Sequence, residues 1–236
     1  MREGEYGGLH VRIRGGCDGN GGGDGPLVVL LHGFGAPGTD LVDLARYLKV
    51  PPEVRFAFPE APLDLSPMNP GGRAWWWIDM MANQIAAMRG EPIDRSKTVP
   101  EGLTEAREKA VAMLGALENE LRPSSLVLGG FSQGAMLSCD VAMRTEIPLA
   151  ALVLFSAAII GEHEWAPTAA RRRGLRAVVS HGKSDPVLPF DAGEKLRDFL
   201  TSAGLGVTWV PFRGGHEIPG ASLEAASLLI RESTAA

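Results

Sequence analysis

The 236 residues predict an α/β fold, with a mostly parallel, twisted sheet covered by helices on both faces. Three observations carry this. Short apolar runs alternate with stretches of helical periodicity along most of the chain. The run Leu27–Leu31 (Leu-Val-Val-Leu-Leu) is apolar without interruption, as a parallel strand buried on both faces requires. A third run, at Leu126–Leu128, breaks through glycines into a helical pattern that reaches Met143. With 45% hydrophobic residues and no linker to divide it, the chain is read as a single domain over residues 1–236.

Taken in order, the first strand-like segment is 9–14, followed by a glycine-rich stretch from Gly15 to Gly25 that reads as a mobile hairpin turn. The apolar strand 27–31 opens into His32-Gly33-Phe34-Gly35-Ala36-Pro37-Gly38, and a helical pattern covers 40–48. After a strand at 54–58, residues 59–100 show no clear sheet element. A helix at 101–121 places Ala110, Leu114, Leu117 and Leu121 at helical spacing, so it faces the core. Strands at 125–130, 149–155, 175–180 and 206–212 then alternate with helices at 133–144, 190–203 and 221–232.

The chemistry concentrates at Gly130-Phe131-Ser132-Gln133-Gly134, a G-x-S-x-G sequence between a strand and a helix. The tight turn needs glycines where side chains would collide, and it lifts Ser132 above the sheet at a helix N-terminus. Negative charge developing there feels the positive end of the helix dipole. A serine hydroxyl needs a base, and the base needs an orienting acid. Strand 175–180 runs into a turn-rich loop carrying Asp185, and strand 206–212 into a glycine-rich loop carrying His216. The order Ser132, Asp185, His216 is the one this strand–turn–helix context requires. His10, His32 and His163 read as surface or structural histidines, and His181 as a structural hydrogen-bonder beside Asp185. Asp191 and Asp198 read as ordinary helix acids.

Acyl transfer also needs donors aimed at the oxyanion. The backbone N–H of Gln133 is one, and the N–H of Phe34, in the loop after the early strand, is the other. Gly33–Gly38 also matches G-x-G-x-x-G, which raises a dinucleotide-binding alternative. Against it, Pro37 removes a donor where phosphate would be cradled, and the helix begins only after the third glycine.

Four segments together resemble one family. They are Leu31–Gly35, Gly130–Ala135, His181–Asp185 with Val187 and Pro189, and Gly215–Ile218. They are similar to the phospholipase/carboxylesterase family of α/β-hydrolases, which includes acyl-protein thioesterases. The resemblance runs from about Leu27 to the last helix. It implies the α/β-hydrolase fold, Ser132 as nucleophile, Asp185 as orienting acid, His216 as base, and Phe34 and Gln133 as oxyanion donors. Phe34 departs from the leucine more usual in the family, which bears on the shape of the acyl pocket.

The expected activity is a cofactor-independent serine carboxylesterase acting through an acyl-enzyme on short- to medium-chain acyl esters, with lysophospholipids and acyl thioesters as further substrates. The alternatives are a peptidase or dienelactone-type hydrolase, a nucleotide-binding oxidoreductase, and an idle binding protein of the same fold. In residues 59–100, Trp75, Trp76, Trp77, Met80 and Met81 are the expected substrate-binding residues, since aromatics and methionine make adaptable apolar walls, and the segment is read as a lid or acyl-binding wall. A net charge of −5 speaks against nucleic acid, and Arg171-Arg172-Arg173 reads as a solvated helix end. No metal-ligand spacing, signal peptide or membrane span is found, and Cys17 and Cys139 make no disulfide framework. The expected setting is cytoplasmic and the partner a small-molecule acyl ester, with a homodimer left open.

Overall fold

The computed structural model describes residues 1–89 and 94–234. Strands β1 (Arg2–Tyr6), β2 (Leu9–Gly16) and β3 (Asn20–Gly22) precede β4 (Leu27–Leu31). A short helix α1 (Leu44–Tyr47), β5 (Arg55–Pro59), the small strands β6 (Leu63–Asp64) and β7 (Arg73–Ala74) and α2 (Met80–Met88) follow. The second half alternates regularly through α3 (Leu103–Leu121), β8 (Leu126–Phe131), α4 (Gln133–Arg144), β9 (Ala151–Phe155), α5 (Glu162–Ala169), β10 (Arg176–Gly182), α6 (Phe190–Ser202), β11 (Gly206–Phe212) and α7 (Gly220–Thr234).

The main sheet runs β1-β2-β5-β4-β8-β9-β10-β11, with β3 beside β2. From β5 to β11 all neighbours are parallel, and only β1–β2 and β2–β5 are antiparallel. The period of two sorts each strand between two cores. In β4, Leu27, Val29 and Leu31 pack with α3, α4, α5 and α6 on one face, whereas Val28 and Leu30 pack with Leu41, Val42, Ala226 and Ile230 on the other. That two-sided demand is why Leu27–Leu31 is apolar throughout. No helix among the described residues is long and apolar enough to cross a membrane.

Four expectations need correction. Residues 40–48 form only the four-residue α1, because Asp40, Val42, Leu44 and Arg46 donate to carbonyls three residues back, closing tight turns instead of a helix. The Gly15–Gly25 stretch is a tethered element: buried Arg55 donates to the carbonyls of Gly23, Gly25 and Leu121, and Asp18 accepts from the N–H groups of Asn20 and Gly22. Arg172 is no solvated helix end. It donates to the carbonyls of Ala142, Thr145 and Ile147, satisfying orphan groups where α4 ends. Finally, β1, β3, α5 and the β6–β7 pair within 59–100 are elements that the sequence does not predict. β1 folds back on β2 through Gly7 and Gly8, both with positive φ, and α5 carries an internal Pro167 that masks its helical signal.

Candidate active site

Between the last residue of β8 and the first of α4 stands a single residue, Ser132. Its φ of 52° is left-handed, a conformation that costs a non-glycine residue on the order of 1–3 kcal/mol. Surrounding structure holds it there: the Ser132 N–H donates to Phe155 O on β9 at 2.9 Å, and Ser132 O accepts from Met136 N–H at 3.0 Å in the first turn of α4. A Cβ on Gly130 or Gly134 would strike the Leu31 carbonyl. The elbow therefore exists only because both flanking glycines let β4 and α4 come that close.

Asp185 and His216 arrive from the loops after β10 and β11. β10 ends at Gly182, and the turn after it carries Asp185, whose carboxylate is fully buried. Asp185 Oδ1 accepts the N–H groups of Val187 and Leu188, each at 2.8 Å, and Oδ2 accepts from His216 Nδ1–H at 2.6 Å. Burial pushes the Asp185 pKa up, but the His216 and backbone hydrogen bonds outweigh it and hold the carboxyl below its ordinary value. The bond to Asp185 leaves Nε2 of His216 as the free basic nitrogen. The ring rests on Phe131, with centroids 4.7 Å apart. Ser132 and His216 line the same cavity, and among the described residues no hydrogen bond joins them. Such bonds tighten when substrate arrives.

Neither Phe34 N–H nor Gln133 N–H donates to an acceptor among the described residues, and both residues line the cavity. Their two segments are tied together by a pair of tryptophans. The Trp75 indole N–H donates to His32 O at 2.9 Å, the Trp75 backbone N–H to Gln133 Oε1 at 3.0 Å, and Gln133 Nε2 to Trp76 O at 2.8 Å. His32 is buried here, giving Nδ1–H to Gly33 O and accepting Ala61 N–H at Nε2. Burial holds its pKa below the ordinary 6.5, against the opposing pull of the Gly33 bond, so the ring is neutral. The loop is pinned from outside by Gly35 N–H to Arg73 O at 2.8 Å and Asn69 Nδ2 to Gly35 O at 2.7 Å. Sequence reasoning missed this bracing; a buried glutamine beside the nucleophile was its one visible signal.

The cavity holds about 370 Å³, within the range of small-molecule sites. Phe34, Ile78, Met80, Phe131, Met136, Val187 and Leu188 give it an apolar wall. Of the expected substrate-binding residues, Met80 alone is on it. Trp75 and Trp76 are core residues that border a separate groove with Pro62, Gly102 and Lys109, a correction explained by their hydrogen bonds to the elbow. Trp77 is 52% exposed and meets Phe34 edge-on, and Met81 is 74% exposed, outside the cavity. Residues 90–93 of the expected lid lie outside the described residues.

The remaining candidates fall elsewhere. His10 pairs with Glu3 and Glu5 at the surface, Asp191 with Lys195, and Asp198 with Arg197. His181 is fully buried and donates from Nε2 to Leu188 O at 2.9 Å, steadying the turn that carries Asp185. Cys139 is buried, which pushes its thiol pKa far up, and Cys17 is exposed. The Gly33–Gly38 loop is followed by turns before α1, so no helix N-terminus stands behind its third glycine, as a dinucleotide site would need. No group of three or more metal-ligating His, Cys, Asp or Glu side chains occurs among the described residues.

Comparison with known proteins shows what the chain as a whole is similar to. The sequence profile of the phospholipase/carboxylesterase family matches residues 22–234. Acyl-protein thioesterase 1 of Yarrowia lipolytica is 31% identical over 179 residues, covering 73% of this chain and 75% of its own. The crystal structure of esterase PE8 superposes with a TM-score of 0.76 at 27% identity, over 94% of this chain and 99% of its own. Acyl-protein thioesterase 2 of Zea mays has the same fold, with a TM-score of 0.72 at 20% identity over 95% and 99% of the two chains.

Proposed function

The chain belongs to the phospholipase/carboxylesterase family of α/β-hydrolases, a family of carboxylic ester hydrolases, and on that premise we propose that Ser132, His216 and Asp185 are its catalytic triad. One observation carries this reading: Ser132, on its strained elbow, shares a cavity with a histidine whose Nδ1 is bonded to a buried carboxylate. His216 Nε2 takes the serine proton as Oγ attacks the acyl carbon. The tetrahedral oxyanion accepts from the Phe34 and Gln133 N–H groups, neither of which has an acceptor among the described residues. Collapse breaks the bond to the leaving alcohol or thiol, which takes the proton from His216. Water then gives a proton to the same nitrogen, attacks the acyl-enzyme and releases the acid, restoring the serine.

The apolar wall and the 370 Å³ volume favour short- to medium-chain acyl groups. Thioesters form a second substrate class, favoured by the acyl-protein thioesterase in Yarrowia lipolytica. The deciding experiment is initial rates on p-nitrophenyl esters from acetyl to palmitoyl, alongside an acyl thioester series, for wild type and Ser132→Ala. Turnover with a chain-length optimum in the wild type and none in the variant is expected. Equal rates in both would remove Ser132 from the role of nucleophile.

A further inference from the structure

Arg95 opens a 3₁₀ turn, Arg95–Lys97, that leads from the α2 segment toward α3. The turn is anchored by Gly161, whose N–H donates to the carbonyls of Arg95 and Thr98 at 3.2 and 3.0 Å. Arg95 lines the cavity that holds Ser132 and His216, and also an adjoining groove with Ala158, Pro189 and Lys195. It thus stands where the two spaces meet, on the side walled by Leu188 and Pro189. Apart from Arg95, most of the cavity wall is apolar; its one carboxylate is Asp40, whose pKa burial pushes above the ordinary value.

Among the described residues the Arg95 guanidinium has neither a salt bridge nor a hydrogen-bond acceptor. Two acids beside the turn are already engaged: Asp94 accepts from Ser96 and pairs with Lys97, and Asp191 pairs with Lys195 at 3.1 Å. Burial pulls the guanidinium pKa below its ordinary value. A partly desolvated fork that has no acceptor among the described residues, set on an apolar wall, is matched by a planar anion, which it can hold through two parallel N–H···O bonds.

We propose that Arg95 is a specificity-determining residue that selects esters bearing a carboxylate remote from the scissile carbonyl. This rests on the cavity beside Ser132 being the ester site. The carboxylate could ride on the acyl chain, as in a half-ester of a dicarboxylic acid, or on the leaving alcohol.

Binding of amides, which a serine esterase leaves intact, separates these cases without requiring turnover. Titration calorimetry would compare adipic acid monoanilide with hexananilide for the acyl side. The leaving-group pair is 4-butyramidobenzoate and butyranilide. Wild type, Arg95→Met and Arg95→Lys would each be measured, with thermal melts to confirm folding. The charged member of one pair is expected to bind about 10- to 100-fold more tightly than its neutral partner in the wild type. That preference should vanish in Arg95→Met and survive in part in Arg95→Lys. Equal binding within both pairs, or a preference that persists in Arg95→Met, would overturn the proposal. Failure of the wild type to hydrolyse p-nitrophenyl butyrate would count against the esterase reading alone, because the amide pairs still decide the role of Arg95.

Discussion

At the residue scale, chemistry here depends on side chains whose neighbours leave them little choice. Asp185 has both oxygens occupied, by two backbone N–H groups and by His216, so its carboxylate cannot turn away from the base. Asp185→Asn should keep the fold but offer His216 an amide that stabilises the wrong tautomer, with kcat falling about 10⁴-fold. Steady-state kinetics on a p-nitrophenyl ester checks this, and a loss below tenfold would remove Asp185 from the triad. On the substrate side, Met80 is on the cavity wall while its neighbour Met81 is exposed. Met80→Ala should therefore shift the acyl-length optimum toward longer chains, and Met81→Ala should leave it in place.

Elements matter because the proposed oxyanion donors belong to two different segments, the β4–α1 loop and the start of α4. Gln133 and Trp75 bind these segments into one piece. Gln133→Ala keeps the backbone N–H but strands the Trp75 N–H and the Trp76 carbonyl, each a buried group costing about 1–3 kcal/mol unpaired. The expected result is a lower melting temperature together with a kcat loss larger than any change in KM. Unchanged kcat would mean that the two donors need no such brace. A second element-level tie is Arg107 on α3, which pairs with Asp140 on α4 at 2.8 Å while Trp165 on α5 donates to the other oxygen at 2.8 Å. Arg107→Ala leaves a buried carboxylate short of its cation, so denaturant unfolding should show about 3–5 kcal/mol less stability.

For the whole molecule, the parallel order β4-β8-β9-β10-β11 sends the loops after β4, β8, β10 and β11 to one end of the sheet. Residues scattered from Phe34 to His216 consequently meet at the carboxyl ends of the strands, where open α/β sheets bind ligands. The same convergence makes stability depend on pH. His32 binds its proton less readily when folded than its ordinary 6.5, so the unfolded chain protonates first as pH falls. Its contribution is complete above 6.5 and is lost below it. Asp185, also depressed, contributes above the ordinary 3.8 and loses that contribution as pH falls through its lower folded value. The melting-temperature advantage of wild type over His32→Asn should thus shrink from about pH 7.5 to about pH 5. An advantage constant over that range would contradict a neutral His32.

What the sequence determined by itself was the main parallel strands and the motif residues at their ends. Short apolar runs placed the parallel strands to within a residue or two, because the central ones are buried on both faces. Gly130, Ser132 and Gly134 announced the elbow, because so tight a turn tolerates no side chain beside it. Asp185 and His216 were visible as the polar residues in loops that follow strands. Tertiary structure decided whatever depends on partners remote in the chain. A tryptophan run reads the same whether it lines a pocket or braces one, and only its bonds to His32 and Gln133 distinguish the two. Glycine-rich chain reads as loose until Arg55 from another strand ties it down, and Arg172 reads as solvated until the end of α4 supplies three carbonyls. Arg95 carried no motif at all. Its place in the cavity follows from the turn that Gly161 anchors, and no local pattern encodes a contact made across 66 residues of chain, since the free energy that enforces it comes from packing and hydrogen bonds formed only when the sheet has assembled.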